Sequence, residues 1–150
     1  MVIRVQTEDI EPGLELGRIG AGRTDVGGVA SFIGSVRGST DGVRAMTLEH
    51  YAGMTERQLA EVEQQARKRF EVIDITIIHR YGRLSPGERI VFVAVAAAHR
   101  AAAFAACEFL VDWLKTRAPF WKLEERAEGS DWVAAHSEDD IRAARWEKIP

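Results

Sequence analysis

The chain has 150 residues, 46% of them hydrophobic, and a formal net charge of −3 from 20 basic and 23 acidic side chains. This is the make-up of a globular protein that can bury a core, and its mild acidity excludes a general binder of nucleic acid or of membranes. No apolar run approaches the roughly 18 residues that span a bilayer. The N-terminus has neither a secretory apolar segment nor the character of a transit peptide. We therefore expect one domain over residues 1–150, acting in the cytoplasm.

The single cysteine, Cys107, excludes an intramolecular disulfide, which fits a reducing compartment. It lies in a helical pattern rich in alanine and phenylalanine, where a buried and unreactive thiol is expected. The four histidines form no Cys/His cluster of the kind that holds structural zinc. The sequence therefore predicts no metal site.

In chain order, the first predicted element is a short strand over residues 2–6, followed by a mixed segment to residue 22 that favours a short helix or a turn. Two strands follow, one ending at Arg37 and one over residues 44–51, on either side of a polar stretch expected to be mobile. A first main helix runs from Thr55 to Phe70. Thr55 and Gln58 fit a capping box for it, and we expect the charged face of this helix, which includes Glu63, to be solvated.

The second half begins with two strands joined by a turn at Ser85–Gly87 and continues with a second main helix that begins at His99 and Arg100 and stops before Pro119. The predicted elements of this half are strands over 72–81 and 89–97, the helix, a strand over 120–125, a turn at 129–130, a strand over 132–135 and a terminal helix over 137–146. This order lacks the regular alternation of a doubly wound sheet. It predicts an α+β fold with a largely antiparallel sheet and two main helices.

Both ends of the second main helix carry candidate functional side chains. His99 and Arg100 stand at its N-terminus, which favours anions, and Lys115 lies near its C-terminus, close in sequence to Lys122. The alternative is a core helix with solvated charges at both ends. Sixteen residues separate His99 from Lys115, a distance of about 24 Å along a helix. If both ends serve one substrate, a second copy of the chain must supply one of them, which predicts a homodimer with composite sites.

Five motifs, in order and compactly spaced, resemble the large, catalytic subunit of molybdopterin synthase over roughly residues 28–146. They are FIGSVRG (32–38), LEHYAGMTE (48–56), IHRYGRLSPGE (78–88), VAAAHRAAAFAAC (95–107) and LKTRAPFWKLE (114–124). The resemblance implies an α/β hammerhead-type α+β domain. It also implies an enzyme that inserts two sulfurs into cyclic pyranopterin monophosphate to form the molybdopterin dithiolene. Each sulfur would arrive as a thiocarboxylate on the C-terminal Gly-Gly of a small ubiquitin-like partner, in a heterotetramer built on a homodimer, with no metal or redox cofactor.

The resemblance also assigns roles to individual residues. Lys115 matches the lysine nearest the thiocarboxylate and Lys122 the second active-site lysine, and we expect proton transfer from the first and electrostatic help from the second. For the substrate phosphate, the matching residues are Arg37, His99 and Arg100, while Phe32 is expected to line the channel for the partner's tail. His79 and Arg80 form a second His-Arg pair, which we interpret as structural. Phe120 and Trp121 are expected in the core.

Two other functions remain open at this point. One is a non-catalytic module that binds a ubiquitin-like Gly-Gly tail, and the other is a different acyl or sulfur transferase that uses the same kind of partner. Retention of both lysines, Arg37 and the His99–Arg100 pair favours the enzyme over the binding module. The anion-binding residues Arg37, His99 and Arg100 suit a phosphorylated substrate in either enzyme, so they do not separate the two transferases.

Overall fold

A computed structural model describes residues 1–38, 43–117, 120–126, 129–132 and 137–147. Within these ranges the strands are β1 (Val2–Gln6), β2 (Gly28–Ser35), β3 (Val43–His50), β4 (Val72–Arg80), β5 (Gly82–Leu84), β6 (Arg89–Ala97), β7 (Phe120–Arg126) and β8 (Gly129–Trp132). The helices are α1 (Pro12–Arg18), α2 (Met54–Arg69), α3 (Arg100–Thr116) and α4 (Ser137–Ala144), and α4 continues as a 3-10 turn, Arg145–Glu147. In this part of the chain, no helix is long and apolar enough to cross a membrane.

The strands form two four-stranded sheets, in the orders β1–β4–β6–β2 and β5–β3–β7–β8. Every strand pair is antiparallel except β1 with β4, which is parallel. The predicted α+β class with largely antiparallel pairing and two main helices is therefore confirmed. The division into two sheets and the short strand β5 were not predicted.

The first sheet is buried on both faces, which explains the nearly continuous apolar run of β6. The odd-numbered residues of β6, Val91, Val93 and Val95, pack with α2 and α3 in the main core. Its even-numbered residues Phe92, Ala94 and Ala96 face a second cluster that includes Ile10 and Ile19 beside α1. A smaller third cluster is built from Val36, Leu48 and Leu84, and Phe120 packs against it.

The details of α2 correct two predictions. The helix begins at Met54 rather than Thr55, and its capping contact is the backbone N–H of Gly53 donating to the Glu56 carboxylate at 2.6 Å, so Gln58 plays no part in it. Gly53 has a φ of +84°, a conformation that glycine adopts without strain. Glu63, expected on a solvated face, is buried because Arg67 pairs with it one turn later.

Three further predictions differ from the structure or fall outside it. The turn expected at residues 129–130 is wrong, because both residues belong to β8. Trp121 is 44% exposed rather than in the core, with its ring edge against Tyr51. The strand expected to extend to residue 135, and most of the polar stretch after Arg37, lie outside the described residues. Cys107 is buried, as predicted, and burial raises its pKa to about 11.

Candidate active site

The two lysines singled out by the sequence lie on α3 and β7, near enough for the charge of one to act on the other. Lys115 is exposed in the last turn of α3, while Lys122 is half-buried in β7, opposite Leu48 of β3. Since Leu48 is almost fully buried, this register places the Lys122 side chain on the inner face of the second sheet. The lysine of β7 therefore points inward, whereas the lysine of α3 stands at the surface.

Lys122 lies in an environment that disfavours its charged form. Burial lowers its pKa first and the positive charge of Lys115 lowers it further, while Asp139 and Glu124 oppose the change. An ammonium group with a lowered pKa is a better proton donor near neutral pH than an ordinary lysine. The position of Lys122, half-buried and within range of a second positive charge, therefore favours release of its proton.

A buried histidine lies beside the lysines. The ring of His79 stacks on that of Phe120, with 3.8 Å between centroids and 16° between planes, and its Nδ1 is 2.8 Å from the carbonyl oxygen of Arg80. Its pKa is lowered to about 4, mainly by burial and to a lesser extent by the charges of Lys122 and Lys115, while the hydrogen bond to Arg80 opposes the change. His79 is therefore a neutral ring at physiological pH.

A second histidine completes this group. The ring of His50 lies 4.3 Å from that of Tyr81 and 5.9 Å from that of Phe120. Its Nδ1 is 3.2 Å from Oγ1 of Thr55, and that hydroxyl donates to the carbonyl of Tyr51 at 3.0 Å. Because the hydroxyl of Thr55 gives its single proton to Tyr51, its oxygen can only accept from His50. The Nδ1 of His50 is therefore the donor in that contact.

Arg37 directly follows a well-anchored residue beyond the end of β2. The backbone N–H of Val36 donates to Glu88 at 2.8 Å, and Gly87 donates to the carbonyl of Val36 at 2.7 Å. Val36 is buried in the same cluster against which Phe120 packs. Arg37 itself is exposed. It follows directly on a residue of the apolar cluster against which β7, the strand that carries Lys122, packs through Phe120.

His99 and Arg100 lie at the other end of α3, as predicted. His99 is the N-cap residue but makes no side-chain capping bond, and both side chains are exposed. Fifteen residues separate Arg100 from Lys115, about 22 Å at the helical rise. The structure therefore does not bring the His-Arg pair to the lysines within one chain.

Phe32, expected to line a channel for the partner's tail, is half-buried in β2 and packs against the main core. The nearby Gly34 has no room for a side chain, because a Cβ there would be 3.2 Å from the Phe32 ring and 2.7 Å from Val91. No hydrogen bond or ring contact between described residues joins Phe32 to either lysine.

The second His-Arg pair is internal, as the structural interpretation expected. Arg80 donates to the carbonyls of Thr7 and Arg89, which ties β4 to the segment after β1 and to β6. The proximity of His79 to the lysines was missed. The only sequence signal for it was the position of this histidine at the end of an apolar strand.

The described residues contain no group of three or more His, Cys, Asp or Glu side chains placed to hold a metal ion. The arrangement instead offers two neighbouring ammonium groups, one of them half-buried, next to neutral imidazole and aromatic rings. Such a set can stabilise negative charge and exchange a proton.

Comparison with known proteins places this arrangement in a family. The family model described as MoaE protein matches residues 5–117. The molybdopterin synthase catalytic subunit of Ralstonia nicotianae is 52% identical over 96% of this chain and 83% of its own length, and that of Pseudomonas aeruginosa is 50% identical over 99% and 100%.

Among solved structures, the molybdopterin biosynthesis MoaE protein from Burkholderia ambifaria superposes with a TM-score of 0.84 at 48% identity, covering 97% of both chains. The match therefore extends over nearly the whole chain. Family model, curated relatives and solved structure agree, and the chain belongs to the MoaE family.

Proposed function

We propose that this chain is the catalytic subunit of a molybdopterin synthase, a sulfurtransferase that acts in the cytoplasm. It would take sulfur from the C-terminal thiocarboxylate of a small ubiquitin-like partner and place it on cyclic pyranopterin monophosphate. Two such transfers form the dithiolene of molybdopterin. Membership of the MoaE family supports this proposal, since the relatives from Ralstonia nicotianae and Pseudomonas aeruginosa are named molybdopterin synthase catalytic subunit.

The observation that carries the proposal is the pairing of Lys115 with a half-buried Lys122 whose pKa is lowered. In each transfer the thiocarboxylate sulfur would attack an electrophilic carbon of the pterin and displace an oxygen from that carbon, which departs as the leaving group with a proton, so that the partner stays attached through a thioester. Water would then cleave this link, so that the sulfur stays on the pterin and a carboxylate returns to the partner. Both steps develop negative charge that neighbouring ammonium groups stabilise.

The environments of the two lysines support a division of labour that differs from the sequence-based expectation. Exposed Lys115 is accessible to an incoming thiocarboxylate and would balance its charge. Lys122, with its lowered pKa, suits proton transfer to the leaving oxygen or from the attacking water. We therefore assign the proton-transfer role to Lys122.

The substrate phosphate would bind to Arg37, His99 and Arg100, with the partner's Gly-Gly tail entering past Phe32. Because α3 separates its two ends by about 22 Å, the His-Arg pair would reach the lysines of a second copy. This gives a homodimer with two composite sites, and one ubiquitin-like partner at each would complete a heterotetramer.

The test is a reconstitution of the purified chain with cyclic pyranopterin monophosphate and a thiocarboxylated ubiquitin-like partner, assayed for the dithiolene. We expect product from the wild type and none from Lys115→Ala, although the complex with the partner still forms. Lys68→Ala, on the exposed side of α2, is the matched control and should be fully active. A stable complex without product would favour the non-catalytic binding module. Absence of any complex would contradict the proposal altogether.

A further inference from the structure

The starting point is a buried polar ring with no role in the reaction outlined above. His79 ends β4 inside the protein, where its only hydrogen bond among the described residues is from Nδ1 to the carbonyl of Arg80. The ring is therefore anchored inside the protein by its backbone hydrogen bond.

The hydrogen bond fixes the tautomer of the ring. A carbonyl oxygen can only accept, so Nδ1 carries the proton and, in the neutral ring, Nε2 carries a lone pair. Stacking on Phe120 fixes the plane of the ring. His79 therefore presents one hydrogen-bond acceptor in a defined orientation.

The charges around this acceptor come from several elements. Positive charge on Lys122 of β7, Lys115 of α3 and His50 of β3 lowers the pKa of the His79 ring. Lys122 itself is faced by Lys115, by Glu124 of its own strand and by Asp139 of α4. A charged imidazole here would add a third positive charge to the lysine pair, whereas a neutral ring adds only a lone pair.

The stack also connects His79 mechanically to one of the lysines. Phe120 and Lys122 are two residues apart in β7, so their side chains stand on the same face of the sheet. The Phe120 ring is held between His79 and the third apolar cluster. The His79 ring therefore packs directly against the strand that carries Lys122.

We propose that His79 is a positioning residue for Lys122: its stack on Phe120 holds the lysine strand in place, and its Nε2 lone pair offers an acceptor to the Lys122 ammonium or to a water bound by it. This inference rests on the proposed function only for its predicted effect on kcat. The predicted effect on the titration of Lys122 can be measured on the folded chain alone, without substrate or partner.

The test compares two replacements of this ring. His79→Phe keeps an aromatic stack but removes both nitrogens, and His79→Gln keeps a donor and an acceptor without the stack. Ile77→Val, on the same strand and the same buried face, is the matched control.

The readout is the titration of Lys122 followed by NMR. Because the chain contains only four lysines, 13Cε-lysine labelling gives a spectrum in which Lys122 is identified from the signal lost in Lys122→Arg.

We expect the Lys122 titration to move down by about half a unit or more in His79→Phe, to move less in His79→Gln, and to be unchanged in Ile77→Val. In the reconstituted synthase, His79→Phe should lower kcat at least tenfold with KM within twofold, and His79→Gln should recover part of that loss. If His79→Phe does not fold, the same comparison is made with His79→Gln against the wild type.

Two outcomes separate this inference from the proposed function. A folded His79 variant with unchanged kcat and an unchanged Lys122 titration would overturn the positioning role while leaving the synthase intact. A wild-type chain that makes no product would overturn the proposed function, yet a shifted Lys122 titration in His79→Phe would still support the role of His79.

Discussion

His79 shows how one residue links pH to stability. Its pKa is about 4 in the folded protein against an ordinary value near 6.5. Between these values the unfolded chain binds the proton and the folded chain does not, so stability is fully present above pH 6.5 and is lost as pH falls toward 4. The loss from this group amounts to about 3 kcal/mol.

We therefore expect urea unfolding of the wild type to show a larger loss of stability between pH 7.5 and pH 4.5 than that of His79→Phe. Carboxylates titrate over part of the same range, but they are common to both proteins, so the difference isolates His79. Equal losses in the two proteins would mean that the imidazole is already charged in the folded state.

Single residues also show where sequence reasoning works and where it stops. Lys115, Lys122 and Arg37 are predictable because they belong to short motifs whose neighbours in sequence identify them. The burial of His79 depends on Phe120, forty-one residues later, and the exposure of Trp121 depends on which face of β7 meets the core. A local pattern carries no information on such long-range pairings.

Among the elements, α4 and the 3-10 turn after it are held onto α3 by two carboxylates, of which Asp112 is buried and Glu108 is not. Asp112 accepts hydrogen bonds from Nε1 of Trp146 at 2.7 Å and from Arg145 at 2.9 Å. Asp112→Ala leaves both donors without this partner, so we expect a loss of about 2–4 kcal/mol in unfolding free energy, together with faster amide exchange in α4.

Glu108→Ala provides the comparison for that prediction. Glu108 also contacts Arg142 and Arg145, but it is exposed, and an exposed ion pair contributes less than about 1 kcal/mol. Hydrogen exchange measured by mass spectrometry should therefore change little in this variant. Equal effects of the two substitutions would contradict a dominant role for Asp112.

The N-terminus of α3 depends on a glycine in a different segment. A Cβ on Gly27 would lie 1.9 Å from the carbonyl oxygen of Ala98, the residue immediately before His99. Gly27→Ala must therefore displace backbone, at a cost of about 1–3 kcal/mol, and should weaken phosphate-substrate binding as well. Thermal unfolding and substrate titration measure the two effects.

Gly17→Ala in α1 is the matched control, because a Cβ there meets nothing within 4 Å and alanine favours a helix. It should be neutral or slightly stabilising. If Gly27→Ala behaved in the same way, the close approach to Ala98 would not constrain the start of α3.

The elements themselves were predictable to different degrees. Helix α3 was found from its dense apolar pattern, and β6 from a run of β-formers bounded by turn residues. By contrast, a strand was predicted only from Trp132, and the start of β8 was missed because Gly129 and Ser130 have the composition of a turn, a preference that pairing with β7 overrides. Tertiary pairing, rather than local propensity, determines the short elements.

At the scale of the whole molecule, the two sheets explain how the site is assembled. The first sheet and its helices form the core, while the second sheet brings β7 beside β3, whose paired residues lie seventy or more positions apart in sequence. The α+β class follows from the order of elements. The division into two sheets does not, because it depends on pairings that no local pattern records.

The same architecture places the predicted phosphate-binding residues and the lysines at opposite ends of α3. If each composite site takes Arg100 from one copy and Lys115 from the other, Arg100→Ala and Lys115→Ala should each be inactive alone but complement each other when mixed. Random exchange of subunits makes half of the dimers hybrid, and each hybrid contains one intact site of its two. The mixture should then reach about a quarter of wild-type activity.

Dithiolene formation, measured after unfolding and refolding the two variants together, tests this arrangement. The control is the same mixture prepared without subunit exchange, which should stay inactive. If both residues act within one chain, each of the two sites of a hybrid contains one replaced residue, either Arg100→Ala or Lys115→Ala. No hybrid of these two single variants would then contain an intact site, so an inactive exchanged mixture would contradict composite sites and require one chain to bridge the full length of α3.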